Sequence, residues 1–151
     1  MSDPLTLFTR LIDEVFNDGN YEALDELVSP DLVEHQFQTP DRPARMTGTG
    51  GPGAVARILR AGASDFHMEI MDRAVSGDTV WLRNWATGTD DGGQLGFPPT
   101  GKTFGISVID VGRYENGKLI EHWGVPDRLS LLQQLGHIAA PTLRPVPTPA
   151  G

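Results

Sequence analysis

The 151-residue chain predicts an α+β fold, a curved antiparallel sheet wrapped around N-terminal helices, and three observations predict it. Apolar residues in the first 65 positions recur mostly at helical spacing. From Phe66 onward they alternate at period two. The connections "SGD" and "ENG" between neighbouring strand-like segments are short enough for antiparallel hairpins.

Taken in order, Leu5, Phe8, Leu11, Ile12, Val15 and Phe16 form a helix stripe behind Asp3-Pro4, a cap and first-turn proline. "NDGN" ends that helix, and Tyr21, Leu24, Leu27 and Val28 mark a second, closed by "SPD". "LVEHQF" reads as a brief strand, "QTPDRPARMTGTGG" as a long loop, and "PGAVARILRAG" as a third helix. Four strands follow in "FHMEIMDRAV", "DTVWLRNWATG", "KTFGISVIDVGRY" and "KLIEHWGV". "RLSLLQQL" closes the domain as a helix stopped by Gly136. The proline-rich end, "APTLRPVPTPAG", joins neither helix nor central strand.

Composition narrows the function. A net charge of −8 without a visible basic face argues against nucleic acid. Cysteine is absent, so no disulfide, thiolate nucleophile or Cys-ligated metal exists. The acidic amphipathic start is not a signal sequence, and no apolar run approaches the ~18 residues of a membrane span. The expectation is a cytoplasmic protein. Trp81 and Trp85, opposite in parity to Val80, Leu82 and Ala86, suggest a homodimer surface.

Two motif matches fail on mechanism. "GFPPTGKT", residues 96–103, fits the phosphate-loop pattern, but Pro98 and Pro99 lack the N–H groups of a phosphate cradle, and a strand pattern follows Lys102. "GTGGPG", residues 48–53, precedes a helix without a leading strand or a surrounding βαβ unit.

Chemistry is expected around Asp110, a mid-strand carboxylate that is expensive to bury alone. If Glu115-Asn116-Gly117 forms a three-residue loop, Asp110 sits across from His122 on one face. A two-residue Asn-Gly turn would put Trp123 opposite instead. An Asp–His pair in an apolar cavity suits acid–base work. A buried ion pair without chemistry is the alternative. His35, Asp110 and His122 could form a facial metal triad, but no ligand spacing supports it, and no metal is expected. Asp127 precedes the last helix, where an N-cap is expected, with a rim role beside it. His35 shares a parity with Val33 and Phe37, and Asn84 is a mid-strand polar group able to orient a ligand carbonyl.

"LVSPDLVEH", "GDTVWLRNWATGT", "FPPTGK", "VIDVGRYENGKLIEHW" and "PDRLSLLQQLG" resemble the SnoaL-like polyketide cyclases of the nuclear transport factor 2-like superfamily, over roughly residues 5–136. The resemblance implies a cone-shaped domain over residues 1–137 with a central cavity, and the proline-rich residues 138–151 are expected to form a tail. It also implies a small, largely apolar carbonyl substrate and cofactor-free aldol closure by an Asp acid/base. That Asp belongs to a His-x-Asp-x-x-Asp pattern, and Gly124 occupies its place in His122-Trp123-Gly124-Val125-Pro126-Asp127.

The leading expectation is a cofactor-free cyclase or isomerase. Asp110 and His122 would move a proton, with Asp127 at the rim. His35 and Asn84 would orient the substrate, and Phe16, Phe37, Ile106 and Val108 would line the walls. A non-catalytic small-molecule-binding protein is the alternative. An epoxide-hydrolase-like ring opening ranks below both, because Arg83 and Arg113 have the wrong parity to enter a cavity.

Overall fold

The computed structural model describes residues 2–36, 46–47 and 50–140, with positions 142, 145 and 147–149 of the tail. The carboxylate of Asp3 accepts from the Thr6 N–H at 3.0 Å and opens helix α1, Pro4–Arg10. The helix widens into π-helical turns over Leu11–Asn17 and ends at Gly19, where φ is 71°. Leu11, Ile12, Val15 and Phe16 are all buried on this wider stretch. A 3₁₀ turn, Tyr21–Ala23, leads into the short helix α2, Leu24–Leu27.

Strand β1 is longer than expected, running Val28–Glu34. Ser29-Pro30-Asp31, predicted to close a helix, lie in this strand. Pro30 is tolerated because β2, Met46–Thr47, pairs only with Val33 and Glu34, so the missing N–H has no partner there. Helix α3 covers Gly50–Gly62. The remaining elements fall close to expectation: β3 His67–Ser76, β4 Thr79–Thr89, β5 Thr103–Glu115, β6 Lys118–Pro126 and α4 Arg128–Gln134. Lys102 therefore leads into a strand, and the apparent phosphate loop is a turn between β4 and β5.

The sheet order is β2-β1-β6-β5-β4-β3. One pairing corrects the expectation of an all-antiparallel sheet: β1 runs parallel to β6. The long path from β1 through α3 and the meander brings β6 back in the same direction, as a parallel pair requires. Unpaired Met71 in β3 and Ile120 in β6 mark bulges, which bend the sheet.

Leu7, Phe8, Leu11, Ile12, Val15 and Phe16 pack with Val80, Leu82, Ala86, Ile106, Val108 and Leu119 in one core. The opposite sheet face leaves Trp81, Trp85, Ile109 and Val125 exposed. Among the described residues, no helix is long and apolar enough to cross a membrane.

Candidate active site

The β5–β6 hairpin decides what faces the core. Its turn is the two-residue kind: Glu115 pairs with Lys118, and Asn116 and Gly117 adopt φ of 51° and 75°. This corrects the three-residue expectation. Extra residue Ile120 then shifts the register, so that Gly112 pairs with His122 and Asp110 with Gly124. The bulge restores the parity that the turn alone would have inverted. Asp110 and His122 share a face, diagonal to each other rather than directly opposite.

Gly112, the residue that pairs with His122, sits in close packing. A Cβ there would meet Leu119 at 2.8 Å and Phe8 at 3.0 Å. His122 Nε2 reaches Asp110 Oδ1 at 2.9 Å, and Asn84 Nδ2 donates to Asp110 Oδ2 at 2.8 Å. On its other side His122 Nδ1 meets both Glu34 oxygens, at 2.7 and 2.8 Å. The Gln36 backbone N–H also donates to Glu34 Oε1 at 2.9 Å. Glu34, Asn84, Asp110 and His122 are all buried, Glu34 at 0% exposure.

Burial alone would push the His122 imidazole down. The hydrogen bonds and charges of Asp110 and Glu34 outweigh it and hold its pKa up to about 10. With both ring nitrogens donating to carboxylates, His122 is an imidazolium at neutral pH and has no lone pair to act as a base. Tyr114 lies nearby, its phenol pushed well above its ordinary range by burial and then by the charge of Asp110.

Asp110 also opens onto a cavity of about 830 Å³ including its mouth. Phe16, Met68, Phe104, Ile106, Val108 and Leu131 supply apolar walls, and Gln36, Gln94 and Arg128 supply further polar groups. Buried Asp90 holds the loop that carries Gln94, accepting from the Thr100 N–H at 3.0 Å and from its hydroxyl at 2.9 Å.

The structure thus brings together Asp110, His122 and Asn84, and places Phe16, Ile106 and Val108 on the cavity wall. His35 lies elsewhere. Its ring stacks on Trp123 at 4.7 Å on the opposite sheet face, with Nε2 3.8 Å from Glu121. The triad of His35, Asp110 and His122 is therefore not assembled. Phe37 lies outside the described residues. Arg83 and Arg113 turn outward toward Asp72 and Glu121, as their parity predicts.

Asp127 is the N-cap of α4, its Oδ1 accepting from the Ser130 N–H at 3.0 Å. It is exposed, although its neighbours Pro126 and Arg128 line the cavity. Asp127→Ala is expected to cost about 1 kcal/mol in thermal denaturation. Lost turnover at unchanged stability would instead place Asp127 in the chemistry.

Sequence reasoning missed Glu34 and Gln36. Their signal was the inward parity Leu32, Glu34, Gln36, masked because Val33 and Phe37 make the alternate parity equally apolar.

Gly124 has a steric explanation here. A Cβ at that position would meet Gln36 Oε1 at 2.6 Å and Asp110 Oδ1 at 3.2 Å. The Gln36 amide and Asp110 occupy the space a side chain would take. Gly124→Ala is expected to be tolerated by rotation of Gln36. Gly124→Asp adds a third carboxylate to a pair already sharing one imidazolium, and urea denaturation is expected to show a loss of about 2–4 kcal/mol. Equal stability of the two variants at neutral pH would refute this account.

A family model described as SnoaL-like polyketide cyclase matches residues 6–135. The chain is similar to aklanonic acid methyl ester cyclase DnrD of Streptomyces peucetius, 27% identical over 100% of this chain and 98% of that one. It is also similar to nogalonic acid methyl ester cyclase of Streptomyces nogalater, 26% identical over 80% of this chain and 89% of the relative. Among solved structures, IdmH of Streptomyces antibioticus superposes with a TM-score of 0.77 at 31% identity, over 89% of this chain and 99% of that one. TsrD of Streptomyces laurentii gives 0.77 at 28% identity, over 89% and 95%.

Proposed function

The chain belongs to the SnoaL-like polyketide cyclase family, and from that premise we propose that it closes a ring by cofactor-free aldol chemistry, with Asp110 as the acid/base. The observation that carries this reading is that Asp110 is the carboxylate on the cavity wall, positioned by donors from His122 and Asn84 at 2.9 and 2.8 Å. Each Asp110 oxygen keeps a further acceptor direction for a substrate.

Asp110 removes a proton from the carbon next to a carbonyl, leaving an enolate. The enolate carbon attacks a second carbonyl of the same molecule, forming the ring C–C bond, and Asp110 returns the proton to the new alkoxide. Reactant and product have the same atoms, and no electrons are exchanged with another molecule. The imidazolium of His122 offsets the charge of Asp110, and the apolar walls keep water from the enolate. Gln36 lines the cavity wall beside Gly124, and its side-chain NH2 would supply a donor to the enolate oxygen in this mechanism.

Gly124 favours a second reading, a binding protein on the same fold, because the family's catalytic Asp is absent from that position. One experiment separates the two. The chain is incubated in deuterated water with aklanonic acid methyl ester, the compound named in the relative, and with its free acid. Ring closure or deuterium uptake next to a carbonyl supports the enzyme. Binding without either overturns it.

A further inference from the structure

The cavity is electrically asymmetric. Asp110 on its wall belongs to a buried cluster in which Asp110 and Glu34 share a single imidazolium, a net negative charge. Arg128 lines the same cavity, as do its chain neighbours Pro126 and Leu131. Among the described residues, most other arginines are engaged. Arg10 binds Glu14 and Glu26, and Arg60 binds the carbonyls of Phe16 and Asn17. Arg57 lies over the Tyr21 ring at 4.1 Å, and Arg83 and Arg113 face Asp72 and Glu121. Arg128 is half-buried and has neither a carboxylate nor a hydrogen-bond acceptor among the described residues.

A second, independent observation points to a ligand. Gln94 is 6% exposed and lines the same cavity, yet its amide Nε2 has no partner among the described residues. A buried donor without an acceptor is costly unless something in the cavity supplies one.

Resting on the reading of this cavity as the substrate site, we propose that the protein takes a substrate bearing a free carboxylate. Arg128 binds that carboxylate at one end of the cavity while the neutral carbonyl end enters toward Asp110. The planar guanidinium suits two parallel hydrogen bonds to a carboxylate. The negative inner cluster repels the same group, so charge sets the direction of entry. The substrate class thereby differs from that in the relatives' names, where the carboxyl group is a methyl ester.

The test uses naphthoate and its methyl ester as probes, titrated calorimetrically into the full chain. The acid is expected to bind about tenfold more tightly than the ester at low salt, with the difference shrinking as salt is added. Arg128→Gln should lower acid affinity about tenfold more than ester affinity and so remove the preference, and Arg128→Lys should keep part of it. Equal or tighter ester binding, equal losses for both probes in Arg128→Gln, or no acid binding at millimolar concentration would each overturn the proposal. The outcome is separable from the catalytic reading: acid preference without deuterium uptake keeps the carboxylate site and removes the chemistry, and uptake without acid preference does the reverse.

Discussion

Asp110→Asn is expected to lower ring closure and the accompanying deuterium uptake by about 10²–10⁴-fold, the usual contribution of a positioned acid/base. The fold should survive. Two donors, His122 Nε2 and Asn84 Nδ2, converge on Asp110, and an Asn there presents only one acceptor oxygen. The Asn84 side chain can compensate by an amide flip, because its own Oδ1 is buried without a partner. The flip would offer that oxygen to the new amide. Ligand binding should therefore be retained while turnover is lost. Retained turnover in a folded Asp110→Asn protein would remove Asp110 from the chemistry.

The second large effect belongs to Glu34. Glu34→Ala leaves a buried imidazolium facing a void on one side, and is expected to cost about 3–5 kcal/mol in urea denaturation. Glu34→Gln keeps the volume and one acceptor but removes a charge, so it separates packing from electrostatics. Its signature is in pH. The pKa of His122 is raised from 6.5 to about 10, so its protonated form stabilises the fold fully below pH 6.5. That contribution is lost as pH rises toward 10. Wild-type stability should accordingly fall across this window, by an amount on the order of a few kcal/mol. In Glu34→Gln the fall should begin at the same pH but be smaller and end at a lower pH, since one of the two charges holding the proton is gone. Imidazole resonances followed by NMR would show the same shift. A wild-type His122 that titrates near its ordinary value would refute the picture of a locked imidazolium.

Much of this arrangement was legible in the residues. Asp110 and His122 stood out because a carboxylate and an imidazole alternated with apolar side chains on strands that had to be neighbours. Asn84 stood out in the same way. Glu34 did not, because "LVEHQF" carries apolar residues in both parities and only packing decides which faces inward. His35 was assigned to the cavity for that same reason and lies instead against Trp123. Arg128 was hidden differently: at the start of a helix its direction depends on how α4 sits against the sheet.

Local signals in the chain set the order of the helices and of β3–β6, the period-two strands, the Asp127 cap and the shared parity of Asp110, His122 and Gly124. These follow from local chemistry, namely side-chain spacing, capping oxygens and the alternation of a pleated strand. The parallel β1–β6 pairing, the burial of Glu34 against His122 and the residue that pairs with Asp110 arise instead from packing between segments distant in the chain. A two-residue turn and one extra residue at Ile120 together preserve the face while moving the partner from His122 to Gly124. Register is a sum of such local shifts, and a bulge leaves no mark in hydrophobic periodicity. The site depends on that sum.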